Sequence, residues 1–160
     1  MHQSEMTLMS HAAIAQHIQN HIADLIEAWI SAVREDPRMQ SDENLTKPEL
    51  IDHVPAILEE IGELIRKREI PEVRNSLEAR ANVYVRLNQG YTGRDLVREL
   101  SLLRITLLDH LMELSWGKAA GFNSEERHEA GKIINLYLDE EMRYAISVFC
   151  NPPTAPQVRE

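Results

Sequence analysis

Two charged residues interrupt apolar stripes in the second half of the chain, where they could form an ion pair or contact a ligand. Arg104 falls among leucines that recur every three or four residues between Leu96 and Leu114, and Glu141 falls in the apolar face of segment 124–149. A guanidinium keeps its charge at neutral pH, so a buried one requires acceptors. We predict that Arg104 and Glu141 form a buried pair between two packed helices. The alternatives are that both side chains reach solvent, or that Arg104 holds a ligand or takes part in signalling.

Histidines are the second set of candidate ligands. His17, His21 and Asp24 share one helical stripe at spacings of four and three, which suits a transition metal such as zinc. No cysteine or second histidine pair completes that set, so a solvated helix face is the favoured interpretation. Glu125 and His128 form a single Glu-x-x-His motif, whereas a di-iron bundle requires two such motifs and two further glutamates.

Haem is a third candidate, because His53 and His110 belong to segments predicted to border the core. Against it, the chain has only 2 phenylalanines, Pro55 follows His53 closely, and no histidine stands out as a proximal ligand. The sequence also lacks a Gly-rich phosphate loop. We therefore expect no bound haem, metal or other cofactor, and no catalytic site.

The composition indicates which elements hold these residues. Aromatic residues make up 5% of the 160 residues, while Leu, Ile, Ala and Glu dominate, and this composition favours helices over sheet. A chain of this length usually forms one domain around one core. We predict an all-α, single-domain bundle of five to six helices over residues 1–150. A Pro-rich linker at 151–160 is expected to lead to a C-terminal output domain.

Start and stop signals divide the bundle into five predicted helices. They lie at 11–35, at 47–68 with a kink near Ile51 to Val54 caused by Pro55, from Pro71 to Leu87, from Thr92 to a point before Gly117, and at 124–149. Thr46 and Glu49 form a capping box for the second helix, and Gly90 supplies the left-handed residue that ends the third. The third helix has the weakest apolar face and is expected at the rim of the bundle.

Charge and cysteine content limit the partners of the chain. The net charge is -9 with neutral histidines. Nucleic acid and anionic membranes require a basic face, so neither is expected as a partner. Cys150 is the only cysteine, so no intrachain disulfide can form. No apolar run reaches the roughly 18 residues of a membrane span. These features predict a cytoplasmic protein.

Three segments carry a recognisable family pattern. They are Leu25-Ile26-Glu27-Ala28-Trp29, Leu50-Ile51-Asp52-His53-Val54-Pro55-Ala56-Ile57-Leu58, and Gln89-Gly90-Tyr91 followed by Asp95-Leu96-Val97-Arg98-Glu99-Leu100 and Leu102-Leu103-Arg104. Together they resemble the N-terminal sensor domain of the RsbRD type, which occurs in stressosome co-antagonist proteins and at the front of bacterial sensor histidine kinases. The likeness covers most of residues 22–115. Members often carry a histidine eight residues before the glycine, where this chain has Asn82.

The resemblance implies a globin-like helical bundle without haem, which passes a signal to a C-terminal kinase or regulator domain. Such sensors generally act as symmetric oligomers, so we expect a homodimer with the first and last helices at its interface. Asn82 is a weak ligand candidate, together with His53 and His110. The alternatives are a free-standing adaptor that binds one protein, a globin-like sensor that binds haem or a small ligand, and an enzyme with an unrecognised pocket.

Overall fold

The computed structural model of the chain describes residues 2–72, 76–113 and 124–151, with side chains from residue 11 onwards. Within these ranges every regular element is a helix: α1 (His2–Asn20), α2 (Ile22–Glu35), α3 (Lys47–Ile51), α4 (Val54–Lys67), α5 (Leu77–Asn88), α6 (Gly93–Glu113) and α7 (Ser124–Cys150). Six of them have 12 residues or more, and α3 has 5. The predicted all-α, single-domain bundle is confirmed.

The first predicted helix is interrupted at His21. The backbone N–H of His21 donates to the carbonyl oxygen of Ile18 at 3.1 Å, and its ring Nδ1 donates to the carbonyl oxygen of His17 at 2.8 Å. In an unbroken helix, the His17 carbonyl would accept the backbone N–H four residues later. Because the side chain occupies that acceptor, α1 and α2 are separate elements. α1 packs mainly on α4, whereas α2 packs mainly on α6.

The second predicted helix is broken rather than kinked. Thr46 and Glu49 form the predicted capping box at the start of α3. Pro55 removes one backbone donor, and the chain leaves the helical conformation three residues earlier, at Asp52, whose φ is 26°. α4 then begins with Pro55 in its first turn, where the missing N–H costs no helical hydrogen bond.

α5 begins later than predicted and turns a different face to the core. Ser76 is its N-cap, and the Ser76 Oγ accepts a hydrogen bond from the backbone N–H of Ala79 at 3.1 Å. Leu77, which the apolar spacing assigns to the inner face, is 78% exposed. The buried residues of this helix are Ala79, Asn82, Val83 and Arg86. The start at Pro71 is therefore wrong, and the inner face is partly polar.

α7 is the central helix of the bundle. It agrees with the predicted helix at 124–149 to within one residue, and it packs against α1, α4, α5 and α6. The main partner of α7 is α6. Gly90, which precedes α6, has the predicted left-handed conformation with φ 82°, and Thr92 Oγ1 accepts a hydrogen bond from the backbone N–H of Asp95 at 3.1 Å. Gly117 and the linker residues after Asn151 lie outside the described residues.

The apolar core fills the space between these helices. Its largest fully buried side chains include Trp29, Ile57, Leu58, Leu96 and Tyr137. Burying an aliphatic or aromatic side chain of this size stabilises the fold by about 1.5–3 kcal/mol. Among the helices of the described ranges, none combines the length and the apolarity that crossing a membrane requires.

Candidate functional site

Arg104 does not pair with Glu141. Its Nη1 donates to Oδ1 of Asp139 at 2.5 Å, and the two side chains are 25% and 55% exposed. The buried residues of α6 centre on the direction of Glu99 and Leu103, so Arg104 lies at the edge of the buried face and reaches the flank of α7. Leucine spacing alone places the centre of that face too close to Arg104. The two helices do pack together, but the predicted buried pair is wrong.

Arg104→Ala is therefore expected to lower the free energy of unfolding by at most about 1 kcal/mol, the usual range for an ion pair open to solvent. Urea unfolding of the variant and the wild type measures this loss. Arg143→Ala is the matched control, because Arg143 forms an exposed ion pair with Glu140 on α7. A loss of about 3 kcal/mol or more for Arg104→Ala alone would indicate a buried charge instead.

Among the described residues the buried arginine is Arg86 on α5, which was not predicted from the sequence. Its side chain is 0% exposed, and its Nε donates to Oε1 of Glu99 at 2.8 Å. Nη1 donates to the carbonyl oxygen of Glu49 at 3.0 Å, and Nη2 donates to that of Leu50 at 2.5 Å. The ring of Tyr91 covers the guanidinium, with its centroid 5.1 Å away. Burial raises the pKa of Glu99, and the Arg86 charge opposes that rise.

Three of the residues around Arg86 stand in a quoted family segment, but the sequence does not show that they contact it. Gln89 Oε1 also accepts from Nη1 of Arg86, at 2.7 Å. Gln89, Tyr91 and Glu99 all belong to the last of the three segments that resemble the RsbRD type. However, Arg86 and Glu99 are 13 residues apart on different helices, so helical spacing does not connect them.

Glu141 is fully buried, and its partner is Asn82 on α5. Asn82 Nδ2 donates to Glu141 Oε1 at 3.0 Å, while Glu141 Oε2 and Asn82 Oδ1 have no hydrogen-bond partner among the described residues. A protonated carboxyl group can donate a hydrogen bond, which an ionised carboxylate cannot. Burial raises the pKa of Glu141 to about 8 against the effect of the Asn82 hydrogen bond, and the nearby Glu99 and Glu60 add to the rise.

A third set of buried or partly buried polar residues, Glu60, Ser76 and Tyr137, links α4 with α7 and the start of α5. Tyr137 Oη and Ser76 Oγ both donate to Oε2 of Glu60, at 2.7 and 2.6 Å. They border a surface cavity of about 430 Å³. Burial raises the pKa of Tyr137 above its usual value, and the charge of Glu141 adds to the rise. The charges of Glu60 and Glu99 thus raise the pKa of Glu141, and the charge of Arg86 lowers it.

The remaining predicted ligands are dispersed. His53 is 26% exposed, and its Nδ1 lies 3.0 Å from Oε2 of Glu78 at the start of α5. Glu125 and His128 are both exposed on α7. In the part of the chain that the structure describes, His53, Glu125 and His128 do not belong to any group of three or more possible metal ligands.

His110, in contrast, lies beside His17 and His21. The possible ligand atoms of the three rings all lie within 4.8 Å of one another. The rings of His17 and His21 stack with centroids 4.0 Å apart, and the His110 centroid is 5.0 and 5.5 Å from theirs. The sequence stripe identified two of these rings but assigned Asp24 as the third group. The third ring comes from α6, which spacing within one helix cannot reveal.

Such a histidine cluster can bind a metal ion or exchange protons. Burial, together with the nearby His21, lowers the pKa of both His17 and His110. Both rings therefore favour the neutral form at pH 7, which is the form that ligates metals.

Comparison of the chain with protein-family models, with curated proteins and with solved structures finds no match. The resemblance to RsbRD-type sensors therefore stays a prediction from the three segments quoted above.

Proposed function

We propose that the chain is a non-catalytic sensory domain of a bacterial signal-transduction protein, either a sensor histidine kinase or a stressosome-type regulator, and that it acts in the cytoplasm. The observation that carries this proposal is the position of Glu141, an ionisable group buried at the centre of α7. A signal that changes its protonation, or its hydrogen bond to Asn82, would change how α7 packs. α7 would then pass the change to a C-terminal output domain.

Glu141 can bias α7 because its two protonation states differ in energy inside the bundle. An ionised carboxylate that loses water without a full set of partners costs several kcal/mol, whereas the neutral acid costs much less. Energy differences of a few kcal/mol are what a two-state element needs in order to respond to a signal. Since α7 contacts four other helices, a shift of this helix would be transmitted through most of the bundle.

The resemblance to RsbRD-type sensors supports the same proposal. Asn82 occupies the position at which members often carry a histidine, and its side chain contacts Glu141. The resemblance also supports a homodimer, for which we propose an interface on the first and last helices. Ile146 of α7 is 51% exposed and would be covered in such an interface.

A spin label on Cys150 tests this proposal directly. Cys150 is the only cysteine, is exposed and ends α7, so a label there reports the position of this helix. In a homodimer, dipolar spectroscopy measures the distance between the two labels. We expect that distance to change between pH 6 and pH 9 in the wild type, as Glu141 ionises near its pKa of about 8. The Glu141→Gln variant, which cannot ionise at this position, should keep one distance.

Glu140→Gln is the matched control, because Glu140 is a partly exposed neighbour on the same helix and should leave the pH response intact. A chain without any dipolar signal at high micromolar concentration would contradict the homodimer. A pH response that is identical in the wild type and in Glu141→Gln would contradict the role of α7. The coding sequence downstream of Glu160 distinguishes the sensory domain from a free-standing adaptor. A kinase or regulator domain there would support the sensor, and an immediate stop codon would favour the adaptor.

A further inference from the structure

The three neighbouring histidines come from parts of the chain that the fold brings together. His17 lies in the last turn of α1, His21 is the residue between α1 and α2, and His110 lies near the end of α6. All three side chains are partly buried, so the cluster is neither a loose surface feature nor closed to an ion.

The spacing of the rings suits an ion of the size of zinc. In a tetrahedral site with Zn–N bonds of about 2.0–2.1 Å, two ligand nitrogens are about 3.4 Å apart. The ligand atoms here lie within 4.8 Å of one another, so the widest separation must close by roughly 1.4 Å. Rotations about the side-chain torsions of histidine can supply a movement of this size.

His21 is already oriented as a metal ligand. Its Nδ1 is 2.8 Å from the carbonyl oxygen of His17, which can only accept, so Nδ1 carries the proton and donates. In the neutral ring with this tautomer, Nε2 of His21 offers its lone pair to a metal ion. Metal-bound histidines usually donate their other ring N–H to a carbonyl or carboxylate in this way, and that hydrogen bond fixes both the tautomer and the ring orientation.

His110 supplies an independent observation. Its Nε2 is buried and has no hydrogen-bond partner among the described residues. Leaving a buried polar atom unpaired is costly, and native proteins rarely do so without a reason. A metal ion bound between the three rings would satisfy this nitrogen.

The surroundings add negative charge. Asp24, Asp109, His110 and Glu113 line the same surface cavity, whose volume is about 440 Å³. Carboxylates beside a group of imidazole nitrogens favour a cation, and the cavity that His110 lines provides a path to it.

We infer that His17, His21 and His110 form a binding site for one divalent transition metal ion per chain, with Zn²⁺ as the best-suited ion. Imidazole nitrogens suit zinc and its first-row neighbours, whereas Mg²⁺ and Ca²⁺ prefer oxygen ligands. The site does not depend on the sensory role proposed above, because neither α7 nor Glu141 takes part in it. It departs from the expectation, drawn from the sequence, that the domain binds no metal. Spacing within one helix does not show that His110 of α6 lies beside His17 and His21.

Zinc titration by calorimetry tests the site in the full, untagged chain after treatment with a chelator. We expect the wild type to bind one Zn²⁺ per chain at pH 7.5. His17→Gln and His110→Gln each remove one ligand and should weaken binding by at least about tenfold. His53→Gln is the matched control, because His53 is partly buried and hydrogen-bonded to Glu78 but lies outside the cluster. Its affinity should equal that of the wild type.

Nitrogen NMR of the histidine rings in the wild type gives a readout that needs no variant. On addition of Zn²⁺, the ring nitrogens of His17, His21 and His110 should shift together at one equivalent, while those of His53 and His128 should not. The absence of saturable zinc binding would overturn the site. An equal zinc affinity in the wild type and in a folded His110→Gln variant, or shifts confined to the other histidines, would overturn it as well.

Discussion

Arg86→Ala is expected to destabilise the domain by about 3–5 kcal/mol, the usual cost of leaving one member of a buried ion pair without its partner. The change removes the guanidinium that bonds Glu99. It also removes the Arg86 donor of the Leu50 carbonyl oxygen and one of the two side-chain donors of the Glu49 carbonyl oxygen, the other being Gln89 Nε2. Urea unfolding at pH 7 measures the loss. Arg80→Ala is the matched control on the same helix, since Arg80 is exposed and should cost at most about 1 kcal/mol.

A double-mutant cycle separates the ion pair from the rest of this loss. Arg86→Met combined with Glu99→Leu should recover part of the stability, because no buried charge is then left unpaired. The recovery should be incomplete, since the carbonyl oxygen of Leu50 still lacks the Arg86 donor and that of Glu49 keeps only Gln89 Nε2. A coupling energy below about 0.5 kcal/mol would show that Arg86 and Glu99 act independently.

The second large effect concerns Glu141 and pH. Relative to Glu141→Gln, the wild-type domain is expected to lose about 3–5 kcal/mol of stability between pH 5 and pH 8. The carboxyl pKa is raised from 4.5 to about 8 in the folded state. Between these values the folded state keeps a proton that the unfolded state has released, so stability falls as pH rises. Below pH 4.5 both states are protonated, and above pH 8 both are ionised, so the difference levels off at either end.

Comparison with the glutamine variant is needed because other groups titrate in the same range. His17 and His110 have lowered pKa values in the folded state, so they make the domain more stable as pH rises towards 6.5. Their contribution is common to both proteins and cancels in the difference. Urea unfolding at each pH gives the two curves, and Glu140→Gln should follow the wild type. If the curves of the wild type and of Glu141→Gln stay within about 0.5 kcal/mol of parallel, the carboxyl is not buried as described.

The sequence predicted the fold class and most helix positions well, because these depend on local signals. The capping box at Thr46 and Glu49, the left-handed Gly90 and the long final helix are all encoded within a few residues of where they act. Local signals did not predict the end of α1, where a side chain of the helix itself ends the backbone hydrogen bonding. At His21 an imidazole competes for a backbone acceptor, and apolar spacing continues across the break unchanged.

The polar residues of the site were harder to predict, for a different reason. Apolar periodicity finds a buried face by averaging over many side chains, and it marked Leu77 as buried and overlooked Arg86. Arg86 is buried because acceptors from two distant segments surround it, and a single sequence contains no pairing information of that kind. The predicted pair of Arg104 with Glu141 was wrong, and the buried pair that the structure contains is Arg86 with Glu99. The same limit kept His110 apart from His17 and His21.

The contacts of Arg86 also constrain the order in which the domain can fold. α3 has 5 residues, far fewer than an isolated helix needs to persist in water. The carbonyl oxygens of Glu49 and Leu50 receive their donors from a side chain 37 and 36 residues further along the chain. Closing a loop of that length must come before those hydrogen bonds form. We therefore predict that α3 is a late element of the folding pathway, and that its single turn becomes fixed only when α5 has docked.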